Sequence, residues 1–129
     1  MKCLDTYALI EIHQGNPKFT SLLHEDIIIA DPTFAEFYGL IYRKHDKITA
    51  DYWQRKLEPF CRPVLLSTLI KAMQFRVDSR KDDISFFDAV GYTFALENYC
   101  SFVTGDKEFE KMKGVEFVKK VKHINNTKK

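Results

Sequence analysis

Asp5 interrupts the apolar opening MKCLDTYALIEI, Glu36 sits inside TFAEFYG, Asp88 inside SFFDAVG, and Asp106 follows SFVTG. Each carboxylate has an ordinary explanation. Asp5 and Asp106 stand where helix N-caps belong, and Ser85 to Asp88 spans the interval of a capping box, although that box prefers Glu or Gln. Glu36 and Asp88 are harder to dismiss, because their neighbours Phe34, Ala35, Phe37, Phe86, Phe87 and Ala89 are apolar and a charge in such company is costly unless paired. A shared site would explain all four. Two carboxylates about 6 Å apart repel by roughly 3 kcal/mol at an effective dielectric near 20, and a bound divalent cation reverses that sign. Magnesium and manganese favour oxygen ligands. Such a site suits phosphodiester hydrolysis, with the metal activating a water and stabilising the leaving oxygen.

These residues can meet only if their elements bring them to one edge. MKCL reads as a short buried strand and TYALIEIH as a short helix. Asn16-Pro17 is a cap followed by Pro at the first helical position, and that helix is expected to run to about Glu25. DIIIAD holds four consecutive apolar residues, three of them β-branched, as a buried parallel strand does. Asp31-Pro32 repeats the cap-then-Pro signal before TFAEFYGLIYRKH, whose apolar positions follow the 3.6 period. ITADYWQRKLEPF reads as another helix with Thr49 as a possible cap; VLLS is a short strand or an extended connection; TLIKAMQFRVDS is helical. ISFFDAVGYTFALENYC is a long buried helix, SFVT a strand, DKEFEKMKG a short helix closed by Gly114, and VEFV a last strand. Strands alternating with helices predict an α/β fold, a sandwich around a mainly parallel sheet. In such sheets ligands gather beyond the carboxyl ends of the strands, and all four acids fall at or near that edge. Gly39 and Gly91 each follow an acid by three residues, which suits close helix packing.

At 129 residues and 45% apolar composition the chain is one domain with a real core, expected over residues 1–122, with a basic tail, 123–129, that frays. No segment reaches the roughly 20 apolar residues of a membrane span, and no secretory leader is evident. Cys3, Cys61 and Cys100 form no CxxC pair, and reduced thiols in a cytoplasmic protein are expected. His13, His24, His45 and His123 lack HxxxH spacing, which argues against zinc. The net charge of +2 conceals alternating blocks: residues 1–42 and 82–106 are acid-rich, whereas 43–81 and 107–129 are basic. That pattern suits a carboxylate site flanked by phosphate-attracting surface, and equally a set of solvated faces.

The ordered set resembles the PIN-domain nucleases, especially the single-domain VapC-type toxins of prokaryotic toxin–antitoxin pairs. Asp5-Thr6 ends the first strand, Glu36 follows on a helix, and DAVGYTFALENYCSFVTGDKEF supplies Asp88, Thr104 and Asp106. The likeness extends from Met1 to about Val118. It implies a three-layer α/β/α sandwich and cleavage of RNA with Mg2+ or Mn2+ held by Asp5, Glu36, Asp88 and Asp106. Asp5 and Asp88 would be the firmest ligands, with Thr6 and Thr104 orienting carboxylates. It also implies a homodimer and a cognate antitoxin. Arg43, Lys44, Lys47, Arg55, Lys56 and Arg62, in the helical region that would frame a groove, become candidates for backbone-phosphate contact. A receiver domain would want an acidic pair after the first strand and a dehalogenase-type phosphatase Asp-x-Asp; Asp5-Thr6-Tyr7 offers neither, and TGDK is not a P-loop. The remaining alternative is a catalytically inactive PIN-like module that binds RNA or protein.

Overall fold

Ile27, Ile28 and Ile29 are all buried, as a strand covered on both faces must be. The computed structural model describes residues 1–119, so the tail expected to fray lies outside the described residues. Strands β1 (Lys2–Leu4), β2 (Ile27–Ala30), β3 (Cys61–Arg62), β4 (Ser101–Thr104) and β5 (Val115–Phe117) form a sheet ordered β3-β2-β1-β4-β5. Every pairing is parallel, with Cys3 level with Ile28 on one side and Phe102 on the other. The helices are α1 (Thr6–His13), α2 (Pro17–Thr20), α3 (Asp31–Lys44), α4 (Lys47–Leu57), α5 (Leu66–Asp78) and α6 (Phe86–Glu97).

The order explains the layers. From β1 to β2 to β3 the chain steps one way across the sheet, and α1 to α4 cover one face. Between β3 and β4 it reverses direction. Right-handed crossovers then require the opposite face, and α5 and α6 lie there. The two cores reflect this split. Leu4, Ile27, Ile29 and Val103 pack with Leu9, Phe37 and Leu57, while Cys3, Ile28 and Phe102 pack with Ala72, Val90 and Phe94. The expected three-layer α/β/α sandwich is therefore the fold. Among the described residues, no helix is long and apolar enough to cross a membrane.

Local chemistry differs from the sequence reading at several ends. Asp31 is not a cap: Ala30 keeps the extended backbone of β2 (φ −69°, ψ 138°), and Asp31 is already in the first helical turn, where its charge suits the helix dipole. Nor is Thr49, because α4 starts earlier and Thr49 donates its N–H to the carboxylate of the true cap, Asp46, at 2.7 Å. The Asn16 cap forms, but α2 stops at Thr20 and continues to His24 as a 3₁₀ turn. Of the two readings of VLLS the connection holds for Val64 and Leu65, with α5 beginning at Leu66, and Cys61–Arg62 takes the sheet edge. DKEFEKMKG yields only a 3₁₀ turn at Lys107–Phe109, and Gly114 (φ +78°) turns the chain into β5.

The two glycines also differ. A Cβ on Gly91 would stand 3.1 Å from the Phe102 ring and 3.3 Å from the Thr33 hydroxyl, so α6 needs the absent side chain to approach β4; Gly39 faces open space. Gly91→Leu should therefore lower stability by about 1–3 kcal/mol through overpacking. Gly39→Ala should raise it by about 0.5–1 kcal/mol by favouring the helix. Chemical denaturation of both variants measures the contrast.

Candidate active site

Asp5 leaves the end of β1, the central strand, and its main-chain N–H donates to the Val103 carbonyl of β4 at 3.2 Å. Strand order departs from β1 in opposite directions toward β2 and β4, which makes this the switch point where an open parallel sheet binds ligands. Asp5 is both a cap and a member of the site. Its Oδ1 accepts the Ala8 N–H at 2.8 Å and so starts α1. Its Oδ2 is buried and has no hydrogen-bond partner, although the residue is only 2% exposed.

The other acids arrive from three further elements. Glu36 projects from the second turn of α3, where the Thr6 hydroxyl donates to its Oε1 at 2.5 Å. Asp88 lies in the first turn of α6, whose Ser85 cap accepts the Asp88 N–H at 3.1 Å. Asp106 follows β4; its N–H donates to the buried Thr104 hydroxyl at 2.9 Å, and its Oδ1 accepts the Glu108 N–H at 3.3 Å. Thr6, Glu36, Asp88 and Asp106 line one open cleft of about 350 Å³. Its remaining lining, Tyr7, Ile10, Glu11 and Gln14, went unnoticed in the sequence reading. The signal was present: these four repeat at intervals of three and four residues, one face of α1.

The acids perturb one another. Burial pushes the Asp5 carboxyl well above the carboxylate range; the Thr104 hydroxyl and Ala8 amide oppose this, and the charges of Asp88 and Asp106 add to it. Asp88 is pushed up to about 6, first by burial and then by Asp106, with the Ser85 hydroxyl opposing and Glu36 contributing. Burial also raises Asp106, and its interaction with Asp88 works against that rise.

This arrangement fits a hard divalent cation. Among the described residues, no three His, Cys, Asp or Glu side chains stand in ready-made ligating geometry around one point. Magnesium does not require three, since it commonly takes one or two carboxylates and completes its shell with water and phosphate oxygens. Asp5 itself does not line the cleft; its buried Oδ2 keeps an unused lone pair, near enough to Asp88 and Asp106 to feel their charges.

None of the six basic candidates lines this cleft. Arg43 and Lys44 end α3, about 10 Å along its axis beyond Glu36 at 1.5 Å per residue. Lys47 pairs with Asp51 at 2.6 Å, and Arg55 and Lys56 close α4. Arg62 is level with Ala30 at the carboxyl edge, but its guanidinium donates to the Pro59 and Cys61 carbonyls at 2.9 Å.

The carboxyl shifts carry a pH signature. A raised folded-state value means the native protein holds protons that the unfolded chain releases from about pH 4 upward, so stability is greatest at low pH and falls as pH rises. For Asp88 the loss is complete above about pH 6 and amounts to at most about 3 kcal/mol. Calorimetry in chelator should give metal-free protein a higher melting temperature near pH 5 than near pH 7.5, and Asp88→Asn should flatten that difference.

The PIN domain family matches residues 2–115. No curated protein matches the chain. Among solved structures, the VapC20 toxin of Mycobacterium tuberculosis, described as cleaving the sarcin–ricin loop, superposes with a TM-score of 0.73 at 16% identity over 92% of this chain and 97% of its own. A chain of a toxin–antitoxin complex from Klebsiella pneumoniae gives 0.71 at 16% identity over 90% and 96%. A Pyrobaculum aerophilum protein gives 0.66 at 19% identity over 90% and 89%.

Proposed function

We propose that this chain, which belongs to the PIN-domain family, is a Mg2+- or Mn2+-dependent endoribonuclease and the toxin of a toxin–antitoxin pair. The observation that carries the reading is the buried, unpartnered Asp5 Oδ2, within electrostatic reach of Asp88 and Asp106, which line one cleft with Glu36. Capping accounts for one oxygen each of Asp5 and Asp106, and it does not account for the acids' mutual repulsion. Bound there, the cation would lower the pKa of a water and stabilise charge on the leaving oxygen. Asp5, Asp88 and Asp106 would hold it, and Glu36, fixed by the Thr6 hydroxyl, would orient water or substrate. Thr104 anchors the loop that carries Asp106. The Mycobacterium toxin of like fold supports RNA as substrate, and the matched chain of the Klebsiella toxin–antitoxin complex supports a protein partner of that kind. The same reading has two copies of the chain pairing in a cytoplasmic homodimer. The basic residues of α3 and α4 would contact RNA beyond the cleft, or the antitoxin. Nothing favours the alternative of an inactive PIN-like module, since all four acids persist.

The test is cleavage of defined RNAs. Activity should require magnesium or manganese and stop in EDTA. Asp5→Asn and Asp88→Asn should each lower it by more than about 100-fold, the upper end of the loss for a mere outer partner of a metal. Wild-type rates in both variants sink the assignment. In the absence of metal, Asp5→Asn should melt no lower than wild type, because it removes a buried charge. Added metal should raise the wild-type melting temperature and leave that variant nearly unmoved.

A further inference from the structure

Among the described residues that line the acidic cleft, Tyr7 carries the one aromatic ring. The rest of the lining is Ile10, two uncharged polar side chains and four carboxylates, with no Lys, Arg or His. A nucleic-acid backbone therefore meets no cation of the chain's own in the cleft, and the fixed negative charges repel it. A bound metal answers only for the phosphate it touches. The hold on the rest of a nucleotide has to come from surface without charge. Tyr7 and Ile10, three residues apart on one face of α1, are the apolar surface the cleft offers.

The fold keeps that ring in place. The fully buried Phe19 packs against it, with 6.0 Å between ring centroids and a tilt of 48°. Gly105 makes room for it: a Cβ there would stand 2.3 Å from Tyr7 Cε1 and 2.6 Å from Cζ. No left-handed turn calls for a glycine at that point, since the glycines with positive φ are Gly15 and Gly114. The missing side chain serves the ring. Gly105 directly precedes Asp106, and Tyr7 directly follows Thr6, whose hydroxyl holds Glu36. The ring thus lies next to the segments that fix two of the acids.

We propose that Tyr7 is a base-binding residue: an unpaired nucleobase of RNA packs on its ring beside Ile10 and sets the adjoining phosphodiester at the acids. Unpaired bases are recognised by stacking on aromatic side chains, whereas a base inside a duplex is covered by its neighbours. A ring already fixed by its packing gives up little freedom when it binds. The cleft, at about 350 Å³, is at the small end of ligand sites and suits one splayed-out nucleotide. The inference rests on the reading of this cleft as an RNA-cleaving site. It adds that cuts fall in single-stranded segments, with one base position read through Tyr7.

The experiment measures binding in magnesium on an Asp5→Asn background, which is expected to leave RNA uncut. Fluorescence anisotropy follows a labelled single-stranded oligonucleotide of mixed sequence and a series in which each nucleotide in turn is made abasic. Tyr7→Leu should weaken binding roughly 5- to 150-fold, the worth of one base–aromatic stack. Tyr7→Phe should keep the parent affinity. One abasic position should cost the parent a similar factor and cost Tyr7→Leu nothing further, a coupling that a merely structural ring would not show. Gly105→Ala, whose methyl would displace the ring, should behave like Tyr7→Leu and serves if that variant fails to fold. Unchanged affinity in Tyr7→Leu or, should that chain not fold, in Gly105→Ala overturns the proposal. So does a loss that is the same with every abasic oligonucleotide, or an absence of RNA binding. If the wild type cuts no RNA while the coupling holds, the nuclease reading falls and this inference stands; if it cuts RNA while the coupling is absent, the reverse is true.

Discussion

A carboxylate that is 2% exposed, with one oxygen unpartnered, is an expensive thing to place at the end of the central strand. The rest of the architecture arranges itself around that cost. Asp5 cannot move outward, because its N–H is tied to β4 and its Oδ1 begins α1. Its surroundings cannot open to water without exposing the Leu9, Phe37 and Val103 core below. The Ala8 amide and the Thr104 hydroxyl favour the charged form but do not outweigh burial. A bound cation, in the reading proposed above, would relieve that imbalance.

Strand order converts this local cost into a site. With β1 in the middle and neighbours added on either side, the carboxyl ends of β1, β2 and β4 open onto one crevice. The elements that follow those strands, together with the start of α6, deliver Asp5, Glu36, Asp106 and Asp88 to it from positions far apart in sequence. Parallel strands share an edge by construction, so no special pairing is needed to gather the acids. Helix packing must supply proximity, and the bare Gly91 that lets α6 sit on Phe102 brings Asp88 close. Stability and chemistry therefore pull against each other at one edge, while the two cores on the sheet faces carry the fold.

Much of this was legible from residue types. The strands IIIA and SFVT, the bounds of TYALIEIH and the gathering of Glu36, Asp88 and Asp106 at one cleft follow from apolar runs, caps and the edge rule. The errors share a physical cause. Asp31 and Thr49 are respectable caps in isolation, but a strand that stays extended through Ala30 and a competing Asp46 decide where the helices begin. A two-residue edge strand such as Cys61–Arg62 has no periodicity to read; it exists because β2 leaves an edge beside it. The α1 face that lines the cleft was hidden for a similar reason. Glu11 and Gln14 read as the polar side of a small helix until the sheet shows what they face.

Helix α5 exposes a further limit of periodicity. An apolar arc wide enough to reach both Ala72 and Ile70 looks, in sequence, like a helix with one generous buried side. Among the described residues the three-layer arrangement supplies only one neighbour there, α6, since α5 lies in an outer layer. The sheet has no surface left to offer, and Leu66, Ile70 and Val77 remain outside. Apolar surface beyond what a layered fold can bury is information about assembly. It lies on α5, across the sheet from the Tyr7, Ile10 and Gln14 wall that α1 gives the acidic cleft.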